Sequence, residues 1–218
     1  MKEIKEDEPL PRHTKIDYYE CYAKIVLEEM LPRQFSNLII SDKPDLQNAQ
    51  LDLGVEVTSS IDQKQRNAES LYVKWSYQEN ANKEKMNAEI KKCGAELVDG
   101  ILSGVPDQDN FNRVYIALKD KLGRLSSGQY KIFSRQYLFI FSTIYATSTM
   151  REEALKEMNN ICSDATRKFD EIYVLVPGAI YVFDLVNNTS FKMQINNNSQ
   201  CLQASCARKM VIQRETDE

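Results

Sequence analysis

The chain has 218 residues, of which 42% are hydrophobic and 28% are charged, proportions typical of a globular protein with one core. Its net charge of -4 excludes a protein that binds nucleic acid through overall positive charge, although a local basic groove stays open. No apolar run approaches the roughly 18 residues that span a bilayer, and the first residues lack the apolar stretch of a signal peptide. We therefore expect a cytoplasmic protein that makes no membrane contact.

Cysteine and histidine usage narrows the chemistry further. The chain has five scattered cysteines, an odd number that favours reduced thiols over a disulfide framework. Cys201 and Cys206 form the closest pair, but no second pair and no nearby histidine completes a zinc site. The single histidine, His13, lies in a charged, proline-flanked leader, which argues against a catalytic triad.

The first predicted helix follows a polar arm at residues 1–15. Apolar residues recur at helical spacing from Ile16 to Leu31, Asp17 is placed to cap the helix, and Pro32 ends or bends it. Glu20 falls inside the apolar arc, where a charge needs an ionic partner or a metal. The alternative is that Glu20 lies at the edge of the arc and reaches water or a basic side chain.

Two carboxylates follow in the stretch 43–60. A short strand at 37–41 turns through Pro44 and Asp45, and the strand that follows alternates, with Val55 and Val57 on one face and Glu56 with Thr58 on the other. We expect the valines to pack under a helix and the opposite face to be open. Asp45, Glu56 and the backbone carbonyl of Val57 would form an all-oxygen site suited to Mg²⁺ or Mn²⁺.

The middle of the chain predicts helices. Residues 62–103 are polar and read as one or two long helices, whose basic and aromatic residues either follow a nucleic-acid strand or form a solvated face. After a turn at 104–107, an amphipathic helix is predicted from Phe111 to Leu125. Lys119 and Lys121 flank its apolar stripe, and a lysine there can reach a neighbouring carboxylate site. Each of them is otherwise an ordinary surface lysine.

The second half completes an α/β domain. Residues 136–142 and 171–176 are continuous apolar runs typical of central strands, and the helix predicted at 150–169 makes them a crossover unit. Two further strands before residue 195 predict a C-terminal β-hairpin. Residues 196–218 are polar and predict a tail with no further core. We expect one domain over 16–195, with 62–108 as a helical insertion.

The order helix, strand, Pro-Asp, then Glu-x-Thr on the next strand resembles the PD-(D/E)XK nuclease superfamily, in the branch that carries Glu-x-Thr instead of Glu-x-Lys. The resemblance implies a restriction-endonuclease-like three-layer fold, a mixed sheet flanked by helices. It implies that Asp45 and Glu56 bind the metal, with Glu20 as a further acidic ligand. Thr58 departs from the family because it stands where most members have the catalytic lysine.

The missing lysine has three candidates. The segment ALKDKLGRL, residues 117–125, resembles the run in which Glu-x-Thr members carry a lysine on the later helix. It favours Lys121 first and Lys119 second, with Lys64 as a third candidate. Asp45, Glu56, Thr58 and these lysines are thus the predicted catalytic residues.

Three functional hypotheses follow. The first is a Mg²⁺- or Mn²⁺-dependent endo- or exonuclease that hydrolyses phosphodiester bonds, in DNA rather than RNA. The second is a catalytically inactive member of the same fold that binds nucleic acid or protein. The third is an unrelated α/β protein in which Asp45 belongs to a turn and Glu56 is an exposed strand residue. Whether two chains form a homodimer stays open.

Overall fold

A seven-stranded mixed sheet forms the centre of the protein. The structure is a computed structural model that describes residues 10–11, 13–77, 82–103, 110–128 and 130–216. Its main sheet has the order β1-β2-β3-β6-β7-β8-β9, and β4 pairs with β5 separately. The strands are β1 (Ile39–Ile40), β2 (Leu46–Asn48), β3 (Leu53–Ser59), β4 (Glu96–Val98), β5 (Ile101–Ser103), β6 (Arg135–Phe141), β7 (Glu171–Val176), β8 (Ala179–Asp184) and β9 (Thr189–Gln194).

Helices cover both faces of this sheet. They are α1 (Tyr18–Met30), α2 (Gln63–Tyr77), α3 (Lys83–Lys92), α4 (Asn112–Ser126), α5 (Ser148–Cys162) and α6 (Asn197–Thr216). The α/β class and the mixed sheet predicted from the sequence are confirmed for the described residues. None of the helices that the structure describes is both long and apolar enough to cross a membrane.

The core has one layer on each side of the sheet. On one face, Ala23, Val26 and Leu27 of α1 pack against Val55 and Val57. On the other face, the apolar sides of α4 and α5 pack against β6, β7 and β8. β6 and β7 are parallel neighbours and buried on both faces, which explains why each reads as a continuous apolar run.

The strands predicted in the second half are confirmed, and the predicted helix between them is shorter than expected. The strand predictions at 136–142 and 171–176 are confirmed as β6 and β7, and the hairpin prediction as β8 and β9. The helix predicted to reach residue 169 instead ends at Cys162. Phe169 is still buried in the core, so its apolar spacing reflects burial in the segment before β7 rather than helix.

The helical prediction for 62–103 is only partly correct. α2 and α3 occupy its first two thirds, but β4 and β5 form a small antiparallel hairpin at 96–103. Gly94 ends α3 and Gly100 forms the hairpin turn, both with positive φ angles of 82° and 79°, a conformation that glycine adopts without strain. The turn predicted at 104–107 lies outside the described residues.

The prediction of a polar tail after residue 196 is wrong. Residues 197–216 form α6, which packs on the outer side of α1 and buries Ala207 and Val211 against Cys21. Its buried positions are small or polar, Gln203 among them, so the sequence shows no strong apolar stripe. Most of the predicted arm at 1–15 lies outside the described residues, but Leu10 packs against this same cluster.

Candidate active site

A gap beside β3 creates the candidate site. β2 pairs with β3 only from Leu53 to Val55, so in the described part of the chain the rest of β3 has no strand on that side. Side chains from both helical layers enter the gap and line a cavity of about 340 Å³. The lining residues are Asp17, Tyr19, Glu20, Asp45, Val57, Thr58, Ser59, Arg66 and Lys121.

At the start of this gap, the side chain of Asp45 makes the hydrogen bond to β3 that a neighbouring strand would otherwise make. Asp45 directly precedes β2, and its Oδ2 accepts a hydrogen bond of 2.7 Å from the backbone N–H of Val57. The turn before it is closed by a bond of 2.8 Å from the Ser41 N–H to the Asp45 carbonyl. In an extended strand the N–H and C=O of one residue point to the same side. The Val57 carbonyl therefore faces the cavity that Asp45 lines.

Glu56 corrects the expectation of an open face. Its side chain points away from the valines, as predicted, but it is only 4% exposed because α4 covers that face. Its Oε1 accepts hydrogen bonds from Lys121 Nζ at 2.5 Å and from the Tyr130 hydroxyl at 2.9 Å. Its Oε2 is buried and has no hydrogen-bond partner among the described residues. One carboxylate oxygen thus accepts two hydrogen bonds, and the other is buried without a partner among the described residues. Glu56 itself does not line the cavity and is joined to it through Lys121, which does.

Electrostatic repulsion concentrates at the acidic side chains. Burial, and then the neighbouring carboxylates of Asp45, Asp17 and Glu56, raise the pKa of Glu20 to about 8. Burial and Glu56 also raise the pKa of Asp45 to about 6, although the Val57 N–H and Lys121 act in the opposite direction. Such repulsion is what a bound cation would relieve.

The three candidate lysines occupy very different environments. Lys121 of α4 is paired with Glu56, and its side chain is 12% exposed, so it is not a surface lysine. Lys119 and Lys64 are exposed, and neither lines the cavity. Thr58 lines the cavity and is half-buried. The structure thus places Glu20, Asp45, Val57, Thr58 and Lys121 at the cavity, with Glu56 joined to it through Lys121, and it leaves out Lys119 and Lys64.

Tyr130 and Arg66 are among the residues of the site that were not predicted. Tyr130 donates to Glu56 from the segment between α4 and β6, and burial together with Glu56 raises the pKa of its hydroxyl, which keeps it a donor. Arg66 of α2 reaches the cavity rim, where its guanidinium donates to the Ser59 carbonyl at 3.5 Å. A basic residue one turn into the helix after Glu-x-Thr was a usable signal for Arg66. No comparable pattern marks Tyr130.

The residues suit a Mg²⁺ ion that keeps several waters better than an ion held entirely by protein ligands. No group of three acidic, histidine or cysteine side chains in the described residues converges as a preformed metal site. Mg²⁺, however, binds proteins through one or two carboxylates and keeps several waters. Asp45 and the Val57 carbonyl line the cavity and would provide such donors, the unpartnered Oε2 of Glu56 would be a further one, and Glu20 lies close enough for its pKa to respond to both acids.

Comparison of the chain with protein-family models, curated proteins and solved structures gives no match.

Proposed function

We propose that this protein is a metal-dependent nuclease that hydrolyses phosphodiester bonds in nucleic acid. The observation that carries the proposal is the position of Lys121, which pairs with the buried Glu56 and lines the same cavity as Asp45. Thr58 cannot provide positive charge, and Lys121 provides it from α4 instead. The restriction-endonuclease-like fold suggested by the sequence belongs to the same proposal, and the mixed sheet with helices on both faces is compatible with it.

The charges around the cavity suit a phosphodiester. Lys121 and Arg66 bring positive charge from two different helices, where they would stabilise the negative charge that develops on a phosphate during hydrolysis. Asp45, Glu56 and the Val57 carbonyl would hold Mg²⁺ or Mn²⁺, with Glu20 beside them. A bound divalent ion supplies Lewis-acid polarisation of the phosphate and lowers the pKa of a bound water.

A cleavage assay tests the proposal directly. Purified protein is incubated with single- and double-stranded DNA and RNA in Mg²⁺, Mn²⁺ or EDTA. Cleavage is expected with a divalent ion and not with EDTA, and Asp45→Asn and Glu56→Gln are each expected to abolish it. The matched control is Asp42→Asn, which removes an exposed carboxylate three residues before Asp45 that does not line the cavity. Equal cleavage by all variants, or none by the wild type, contradicts the proposal.

One observation favours a second function, an inactive fold that binds nucleic acid or protein. The Lys121 ammonium pairs with Glu56 at 2.5 Å between two largely buried side chains, a contact that can also serve the structure alone. The same assay separates the two functions. Binding of an oligonucleotide that is insensitive to EDTA, with no cleavage in any metal, is the outcome expected of a binding module.

A further inference from the structure

A second cavity lies next to the candidate active site at the same end of the sheet. It has a volume of about 510 Å³, within the range of small-ligand pockets. Tyr22 of α1, Phe141 at the end of β6 and the first turns of α6 form its walls. We call it the aromatic cavity, defined by Tyr22, Ile61, Phe141, Pro177, Gln200 and Cys201.

Aromatic rings connect the two cavities. The cavity of the candidate active site, lined by Asp17, Glu20 and Asp45, is called the acidic cavity. Tyr19 also lines it, and the ring centroid of Tyr19 lies 5.0 Å from that of Phe141. Phe141 in turn lies 5.4 Å from Tyr22, and both line the aromatic cavity. Tyr19 and Tyr22 are three residues apart on α1, so these two lining residues lie about one helical turn apart, roughly 5 Å along the axis. The sugar that joins a phosphate to its base can span such a separation.

The walls of the aromatic cavity suit a flat, polar-edged ring. Tyr22 and Phe141 offer aromatic surface of the kind on which bases stack. The side chain of Gln200 is fixed at both ends, accepting from the Gly178 N–H and donating to the Val176 carbonyl. Asn197 lines the cavity with an amide that offers both a donor and an acceptor to a base edge.

We propose that the aromatic cavity binds an unpaired nucleobase of the strand whose phosphate lies in the acidic cavity. The inference rests on the proposed function, because only a phosphate at the acidic cavity places a base at this distance. A base bound in this way limits the substrate to single-stranded nucleic acid or to a duplex with a displaced base. A base stacked within a regular duplex cannot enter a cavity without leaving the stack.

The exposed cysteines provide a local reporter. Cys201 and Cys206 are both exposed and lie on α6. Cys201 lines the aromatic cavity, whereas Cys206 does not. Burial raises the pKa of Cys21 to about 12 and that of Cys162 to about 11, so neither thiol competes for reagent near neutral pH. The rate of alkylation at Cys201 therefore reports whether the aromatic cavity is occupied, and the rate at Cys206 on the same helix is the control.

The experiment measures alkylation of the full-length wild-type protein by iodoacetamide, once in Ca²⁺, as a divalent ion expected to support binding without cleavage, and once in EDTA. The two sites are resolved by peptide mass spectrometry. The probes are a short single-stranded DNA, its duplex, and the same strand with abasic sites throughout. The single strand should slow Cys201 by about tenfold at roughly ten times its Kd. The duplex and the abasic strand should not protect Cys201, and Cys206 should be unchanged throughout.

Three outcomes would overturn the inference: no protection of Cys201 in Ca²⁺ or in EDTA, equal protection by the abasic strand, or equal slowing of Cys206. As a second test, Ala204→Phe narrows the aromatic cavity and should weaken single-strand binding. Cleavage in Mg²⁺ without base-dependent protection would reject the base site while leaving the nuclease proposal standing. Protection without cleavage would support the base site and reject the nuclease.

Discussion

Lys121 Nζ on α4 lies 2.5 Å from Oε1 of Glu56 on β3, and both side chains are almost entirely buried. The pair joins two elements that are 65 residues apart in the chain. It places a positive charge beside the one carboxylate whose other oxygen has no partner among the described residues. The pair is therefore both a structural contact and the proposed source of catalytic charge, and these two roles can be separated by experiment.

Lys121→Met is expected to lower both stability and activity. Removing one partner of a buried ion pair leaves Glu56 uncompensated, which costs about 3 kcal/mol of unfolding free energy. Cleavage should fall by about 100-fold or more. The double variant Lys121→Met with Glu56→Gln should recover much of the stability, measured by urea unfolding, but none of the activity. Lys119→Met is the control, because Lys119 is exposed on the same helix and should change neither. Recovery of cleavage in the double variant would contradict the catalytic role.

Tyr130→Phe tests whether the hydroxyl positions Glu56. The substitution removes the 2.9 Å hydrogen bond to Oε1 and keeps the ring in the core cluster of α4 and α5. A hydrogen bond to a charged group contributes about 2 kcal/mol, so a loss of this size is expected in chemical unfolding. Because Tyr130 does not touch the substrate in the proposal, higher Mg²⁺ concentrations should restore much of the lost cleavage. Tyr145→Phe, at a 77% exposed tyrosine, should behave as wild type; an unchanged metal dependence in Tyr130→Phe would reject the positioning role.

Gly54→Ala should disturb the approach of Asp45 to β3. A Cβ at this position would lie 2.5 Å from Cγ of Pro44 and 2.8 Å from Cδ2 of Phe133, and both rings are rigid. We expect a loss of about 1–3 kcal/mol, together with weaker Mg²⁺ binding, because Pro44 adjoins Asp45. Gly123→Ala is the matched control, since nothing lies within 4 Å of its added Cβ; it should stabilise α4 by up to about 1 kcal/mol. Isothermal titration with Mg²⁺ and thermal unfolding measure both effects.

The stability of the metal-free protein should fall as the pH rises. The pKa of Asp45 is raised from 3.8 to about 6 and that of Glu20 from 4.5 to about 8. The folded state therefore holds more protons than the unfolded state between these values, and the unfolding free energy declines through that window. In Glu20→Gln the decline should stop near pH 6. Mg²⁺ should raise Tm at pH 8 more than at pH 5. A Tm in EDTA that is flat from pH 5 to pH 8 would contradict the raised pKa values.

The sequence predicts the acids better than their surroundings. Asp45 and Glu56 follow from turn residues and strand alternation, which are local signals. The edge of the apolar stripe marks Lys119 and Lys121 alike, and only the resemblance of residues 117–125 to the nuclease family ranks Lys121 first. The burial of Glu56 does not follow, because no local pattern shows that α4 covers the second face of β3. Tyr130 lies 74 residues from its partner, a separation at which a single sequence carries no pairing information.

The helical elements show the same limit. α4 and α5 have clear apolar faces, and both are predicted. α6 is missed because it packs small residues such as Ala207 against α1, and small residues carry little hydrophobic signal. The β4 and β5 hairpin is missed because its strands are only three residues long, too short for alternation to compete with helical propensity in the segment before them.

β3 lies inside the sheet but is synthesised before β6, its neighbour on one side, and this sets the order in which a growing chain can assemble the site. Asp45 and Glu56 leave the ribosome well before Lys121 and Tyr130. They also precede β6, the strand that pairs with β3 along its whole length. Until α4 has been synthesised, burying Glu56 would leave its charge without a cation, which is costly. We therefore expect the acidic strand to stay unburied during early synthesis. A fragment that ends before residue 121 should not form the sheet, however many of the acids it contains.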